Sequence, residues 1–439
     1  MLTKYLLSSN PALPTVLFFL LYYGISNNND SEQDYGDLNL QNSQLLALEN
    51  GEFCAWLDAM PRRQSVTDDY MVTFVTQLTL DHVGSLVQVA NRWRAPISAA
   101  VFLPSNTLAT AIHLLYQLRE TSPSLAAHTS MHLFWRNTAK DCQRMWHALL
   151  VQGALVQGVT GCTGLACVMQ RAMDIGSSGP TDQRYPVNVA RNLARMFVST
   201  THEMVADVEL IPSVGFANYL GQFLRKIDDQ PIAREVYVVA VFEVDDSVER
   251  VPGDKNQLKT LMARSKAVPF HYFKAPECHR IPSLTNWLNT DVLPDNQVDV
   301  LVSTRWLRPC WEPVFVARTG LAPRYDARFR GYGKNKIQQL YEMCRANFTF
   351  HLLNDLFLVH RHIDRMTNTK WLHIRTAVLA NNVHYEVFRR RLDARYPDKN
   401  LTDYCDQRTD TETSSVPERT ESGNATTVSQ KKHTNNGVR

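Results

Sequence analysis

Apolar β-branched runs and helical repeats alternate along the chain, and that alternation limits the folds open to it. Tyr70–Thr76 predicts a strand, after which Leu80, Val83, Leu86 and Val89 recur at helical spacing. Ile97–Leu103 predicts a second strand, Leu108–Leu118 a second helix and Met131–Trp135 a third strand. The pattern resumes with a helix at Asn188–Phe197, a strand ending at Asp207, a helix at Val214–Arg225 and a strand at Val236–Phe242. A helix at Lys255–Ala263 and a short strand from Trp311 follow. The loop Phe329–Asn335 opens a helix at Lys336–Arg345. Two short strands near Phe348–Leu353 and Leu356–Val359 end at His360, and a long amphipathic helix, Trp371–Arg395, closes the pattern. Such a chain predicts an α/β fold with a mostly parallel, doubly wound central sheet flanked by helices.

Within it, Met204–Ser213 (MVADVELIPS) carries the strongest chemical signal. An apolar run ends abruptly in Asp207-Val208-Glu209. In a strand, Asp207 and Glu209 share one face while Val208 takes the other. Paired carboxylates repel unless a cation or a proton intervenes, and oxygen ligands suit Mg²⁺ or Mn²⁺. The C-terminal end of a strand in an open α/β sheet is also where ligands bind.

The ends of the chain read differently. Tyr5–Ile25 follows Lys4, carries no charge and holds the apolar core Val16–Tyr23; Asn27–Asp34 beyond it is polar and acidic. Residues 1–25 therefore predict a cytoplasmic tip with a signal-anchor, leaving the bulk of the chain luminal by the positive-inside rule. A cleaved signal peptide is the alternative. Residues 26–69 read as a stem, 70–404 as the folded domain, and the Thr/Ser/Asn/Gln-rich 405–439 as a disordered tail. The Gly-, Ala- and Ser-rich 151–184 reads as an insertion. Eight cysteines permit disulfides without fixing their pairing, and the four sequons at Asn29, Asn347, Asn400 and Asn424 fit a luminal chain. A net charge of +3 gives no sign of a nucleic-acid partner.

The ordered set VTFVTQLTLD (72–81), YPVNVARNLAR (185–195), ADVELIPS (206–213), YVVAVFEV (237–244), WEPVFV (311–316), YDARFRGYGKNKI (325–337) and LFLVH (356–360) resembles glycosyltransferase family 49. The closing RRLDARYP (390–397) is nearer the family's glucuronyltransferase branch than its LARGE-type branch. The resemblance implies a GT-A fold, a Rossmann-like domain that binds a UDP-sugar with a divalent metal on a D-x-D. It implies inverting transfer of glucuronate from UDP-glucuronate to a xylose-terminated glycan of the O-mannosyl type. A Golgi type II membrane protein acting on glycoprotein glycans, in association with other Golgi transferases, follows from the same likeness.

Residue by residue, the resemblance puts Mn²⁺ or another divalent cation on Asp207, Glu209 and His360, with glutamate where the family usually has aspartate. It places Asn188 and Arg191 toward the nucleotide-sugar and Thr76 and Gln77 at the uridine. Arg330 and Lys334 are candidates for the glucuronate carboxylate, which a bidentate arginine suits. An inverting transfer needs a base at the acceptor hydroxyl. The Gly331–Lys336 loop holds no carboxylate, so Asp326, just before it, is the expected base; Glu312 and Glu243 remain behind it. Trp311 and Tyr332 are candidates to stack on sugar rings. Two other readings stay open: a non-catalytic luminal relative that binds glycans or a partner transferase, and a xylosyltransferase of the same fold.

Overall fold

Val72–Thr79 (β3) is the strand from which the sheet grows: its even-numbered residues pack on one side of the sheet, its odd-numbered ones on the other. The computed structural model describes residues 45–65, 70–138, 141–142, 162, 164–178, 185–228, 233–290, 297–365 and 368–406. Parallel to β3 run Ile97–Phe102 (β4), then Thr129–Arg136 (β5) beyond it, and His202–Val205 (β6) on the other side. The alternation that predicted this parallel core is therefore realised, with the helices Val83–Trp93 and Leu108–Thr121 as crossovers.

Antiparallel strands complete the sheet. Val314–Arg318 (β11) pairs β6 on one side and Glu235–Val244 (β8) on the other. Thr349–Arg361 (β12) runs parallel to β8, and Leu210–Pro212 (β7) pairs antiparallel with the end of β12. Ala267–Pro269 (β9) and Val300–Thr304 (β10) sit beside β8 and β12. Two short strands were expected where β12 lies. It is one strand, interrupted by a register shift between Leu352 and Phe357, with Asp355 at φ 60°. The Asp355 carboxylate takes the buried Lys255 ammonium at 2.8 Å, which fixes the bulge from behind.

The domain begins before Tyr70. Leu45–Leu48 (β1) and Phe53–Met60 (β2) form a hairpin, and β2 pairs antiparallel with β5. The polar stem expected through residue 69 is thus corrected over this stretch: Phe53, Cys54, Ala55 and Met60 are wholly buried, and that apolar content commits them to the core. At the other end Cys405 lies in a helix, Lys399–Asp406, and is buried. The expected anchor at 1–25 lies outside the described residues, as do the tail beyond 406 and much of the 151–184 insertion, of which Leu165–Ser178 is a helix. Among the described residues no helix is long and apolar enough to cross a membrane. All eight cysteines are paired: Cys54–Cys142, Cys162–Cys167, Cys278–Cys310 and Cys344–Cys405.

Two buried histidines are expected to make the fold acid-sensitive. His132 Nδ1 accepts the Asp58 N–H at 2.9 Å and its Nε2 lies 3.0 Å from Ser98 Oγ, which donates to the Ala194 carbonyl. Burial, aided by Arg62, lowers its pKa to about 3, and burial and Arg318 lower that of His202 to about 4. Both stay neutral in the fold at pH values where unfolded imidazoles, near 6.5, take a proton. The unfolded chain therefore binds more protons through that window. Stability is expected to be full above about pH 6.5 and to fall as the pH drops toward 4. Thermal melting across pH 4–8 checks this; a flat profile below pH 6.5 would contradict it.

Candidate active site

β6 stops at Val205 because the chain turns. The Leu210 N–H donates to the Asp207 carbonyl at 3.0 Å and closes a turn over Val208 and Glu209. The two carboxylates therefore project from a turn and not from one face of a strand, as the alternation had predicted. Val208 is buried, whereas the side chains of Asp207 and Glu209 keep 34% and 46% of their exposure.

Asp207 collects donors from three parts of the chain. Lys336 Nζ lies 2.7 Å from Oδ2, and Arg191 Nη2 and Gln77 Nε2 lie 3.2 and 3.3 Å from Oδ1. Desolvation alone would raise this carboxyl, but Lys336 and then Arg191 outweigh it and hold it well below the usual carboxylate range. Glu209 turns elsewhere: His82 Nδ1 is 3.5 Å from it, and Nε2 of the same ring is 3.5 Å from Asp81. His360 stands opposite Leu210 in the β7–β12 pairing, one residue past Glu209, with Nδ1 3.2 Å from the His362 carbonyl. The backbone thus brings the three expected ligands to one place. Their side chains take other partners, and among the described residues no three His, Cys, Asp or Glu gather as a metal-holding group.

The helix Val187–Arg195 supplies the frame. Arg191 and Arg195, one turn apart, both lie over the Tyr325 ring at 5.2 and 5.8 Å. Arg195 clamps Glu203 in β6, and Arg191 reaches the turn beyond it. Asn188 is wholly buried; its amide donates to the carbonyls of Asp326 and Asn335 while its oxygen accepts from Arg191. Arg191 also donates to Asn335 Oδ1 at 2.8 Å. Asn188 and Arg191, expected at the nucleotide-sugar, hold Asp207 and the 325–336 loop through these bonds.

Gln77 is bridged between Asp207 and the Tyr185 hydroxyl, which donates to Oε1 at 2.6 Å. Thr76 points the other way. It has no exposed surface and lies on the face of β3 that carries Phe74 and Leu78, so strand alternation removes it from the uridine position expected of it. Arg330 is also redirected: it pairs with Glu52 through both carboxylate oxygens and lies over the Phe53 ring. Lys334 sits 4.2 Å above the Tyr385 ring. Arg330 is therefore already occupied by a carboxylate, whereas Lys334 rests on an aromatic face. Lys336 was not singled out from the sequence; three lysine and asparagine residues follow Gly333, and only the left-handed backbone at Gly333 and Lys334 decides which of them faces Asp207.

The expected base, Asp326, is also committed. Arg391 Nη2 lies 2.6 Å from Oδ2, and Arg328 binds both oxygens. Glu243 is wholly buried and accepts the N–H groups of His271 and Asp364. Beside Lys336 opens a cleft lined by Leu210, Phe270, His279, Trp311 and Glu312. Trp311 is 1% exposed and donates its indole N–H to the Arg280 carbonyl, so it is a wall of this cleft and not a stacking platform, whereas Tyr332 is 44% exposed.

Residues 71–397 match the family described as glycosyl-transferase for dystroglycan. The chain belongs to that family. It is 30% identical over 347 residues to the beta-1,4-glucuronyltransferase 1 of Mus musculus, covering 76% of this chain and 78% of that one. The xylosyl- and glucuronyltransferase LARGE2 of Mus musculus is 23% identical over 301 residues, or 69% of this chain and 36% of its own length. Among solved structures, GalNAc-T7 with UDP, GalNAc and Mn²⁺ aligns at a TM-score of 0.36 and 11% identity, over 76% of this chain and 52% of that one. This member of the family is a glycosyltransferase with the α/β architecture expected of a GT-A domain.

Proposed function

We propose that the chain transfers glucuronate from UDP-glucuronate, with inversion, to a xylose-terminated O-mannosyl-type glycan. The observation that carries this reading is its 30% identity to beta-1,4-glucuronyltransferase 1 over three quarters of both chains. The cationic pair on Asp207 supports it: Lys336 and Arg191 put positive charge beside the turn expected to hold the metal, and a departing diphosphate needs such charge.

Asp207, Glu209 and His360 would hold a divalent cation, Mn²⁺ being compatible with this mix of carboxylate and imidazole. Their fit lies in donor chemistry and in the strand pairing that sets His360 beside the turn. Bound there, the cation supplies Lewis-acid neutralisation of the leaving diphosphate. The chain's own residues do the rest: Arg191, Asn188 and Asn335 fix the turn and loop, and Lys336 adds charge beside Asp207. We place this chemistry in the Golgi lumen, with residues 1–25 as a type II anchor; the full pairing of the cysteines supports an oxidising compartment.

Donor-dependent melting tests the reading. UDP-glucuronate with Mn²⁺ is expected to raise stability by about 2.7 kcal/mol at a hundredfold excess over Kd. UDP-xylose should give a smaller rise. A larger rise with UDP-xylose would move the donor to xylose, and no rise with any nucleotide would defeat the reading.

A further inference from the structure

Glu312 combines a rigid backbone with a carboxylate that no described residue engages in a hydrogen bond. Its N–H donates to the Cys278 carbonyl at 2.7 Å, and Cys310, two residues earlier, is disulfide-bonded to Cys278 itself. The neighbouring Trp311 is buried and tied to the Arg280 carbonyl, while the Trp306 indole donates to the Trp311 carbonyl at 2.9 Å. The peptide is thus fixed on both sides. Yet the side chain accepts no hydrogen bond from any described residue, although it lines the same cleft as Lys336 and His279. Asp326 and Glu243 differ on this point, because arginines saturate one and backbone N–H groups the other. A paired carboxylate is a poor proton acceptor; one held in place but unpaired is suited to the task.

We infer that Glu312 is the catalytic base that accepts the proton of the acceptor hydroxyl. This rests on the transferase reading of the cleft given above. As the acceptor oxygen bonds to the anomeric carbon of the donor, the bond from that carbon to the UDP oxygen breaks. The electron pair leaves with UDP, the hydroxyl proton passes to Glu312, and Glu312 later releases it to water. Desolvation raises the pKa of Glu312 above that of an ordinary glutamate against the pull of Lys336 and Arg191; Asp207 adds to the rise and Lys334 opposes it. His279 and Arg280 face it from the disulfide-linked segment. A base tuned upward in this way is better matched to near-neutral pH.

The test is Glu312→Gln, which keeps the shape and removes the basicity. Its kcat is expected to fall about 10²–10⁴-fold, with donor KM changed less than about threefold. Its melting temperature and its stabilisation by UDP-sugar with Mn²⁺ should match the wild type. Glu312→Asp, which keeps the carboxylate but shortens its reach, should recover part of the rate. The wild-type kcat should show an acid limb above the ordinary glutamate range. Transfer by Glu312→Gln within about fivefold of wild type would overturn the inference, as would parallel loss of donor-dependent stabilisation. If the wild type uses UDP-xylose, the donor assignment fails while the same comparison, made with UDP-xylose, still decides the role of Glu312.

Discussion

Asp207→Asn is expected to lower sugar transfer by about 10²–10³-fold in a chain that still folds but melts at a lower temperature than the wild type. The substitution keeps an oxygen for Arg191 and Gln77 but removes the charge that Lys336 meets at 2.7 Å. Two cations, one of them buried, would then lie near each other without a counter-charge. The carboxylate that would hold a divalent cation is lost at the same time. Initial rates with saturating donor and Mn²⁺, read beside thermal melting, check both halves. Transfer within about fivefold of wild type would show that the turn after β6 is not the reaction centre.

The second large effect is on stability. Arg195 and Glu203 are 6% and 4% exposed, and the guanidinium makes three hydrogen bonds to the carboxylate and one each to the carbonyls of Pro323 and Ala322. Arg195→Met strips these away and strands a buried carboxylate, at a cost of about 3–5 kcal/mol. Melting should drop by roughly 5–10 °C. Glu203→Leu in the same chain should restore most of it, because replacing both ions leaves nothing unpaired. A single variant that melts with the wild type would show that the ion pair contributes little.

What could be read in the sequence was what is local. The β3–β4–β5 core was legible because each strand is a short apolar run followed by a helical repeat. The four-residue spacing of Arg191 and Arg195 correctly put both on one face, over the Tyr325 ring. The choice of partners was not legible. Arg330 meets Glu52 across 278 residues, and no spacing rule distinguishes that from an arginine awaiting a substrate. Lys336 and Lys334 differ in role only through the backbone of the loop between them. Asp326 was favoured as a base for its place beside that loop, but Arg391, from the far helix Asn368–Arg395, reaches it. Strand alternation failed at Asp207-Val208-Glu209 for a simple reason: a hydrogen-bonded turn replaces the pleat.

The hairpin at Leu45–Met60 separates two lengths that are easily equated, the stretch shared with relatives and the stretch that folds. The family likeness starts at residue 71, whereas the sheet starts at Leu45. A secreted form cut at the likeness boundary would leave Cys142 without Cys54 and Arg330 without Glu52, and would uncover the edge of β5. An unpaired thiol and an open strand edge are both invitations to cross-linking and aggregation. Production of this enzyme for any of the measurements above is therefore a matter of retaining these residues, although no catalytic group lies among them.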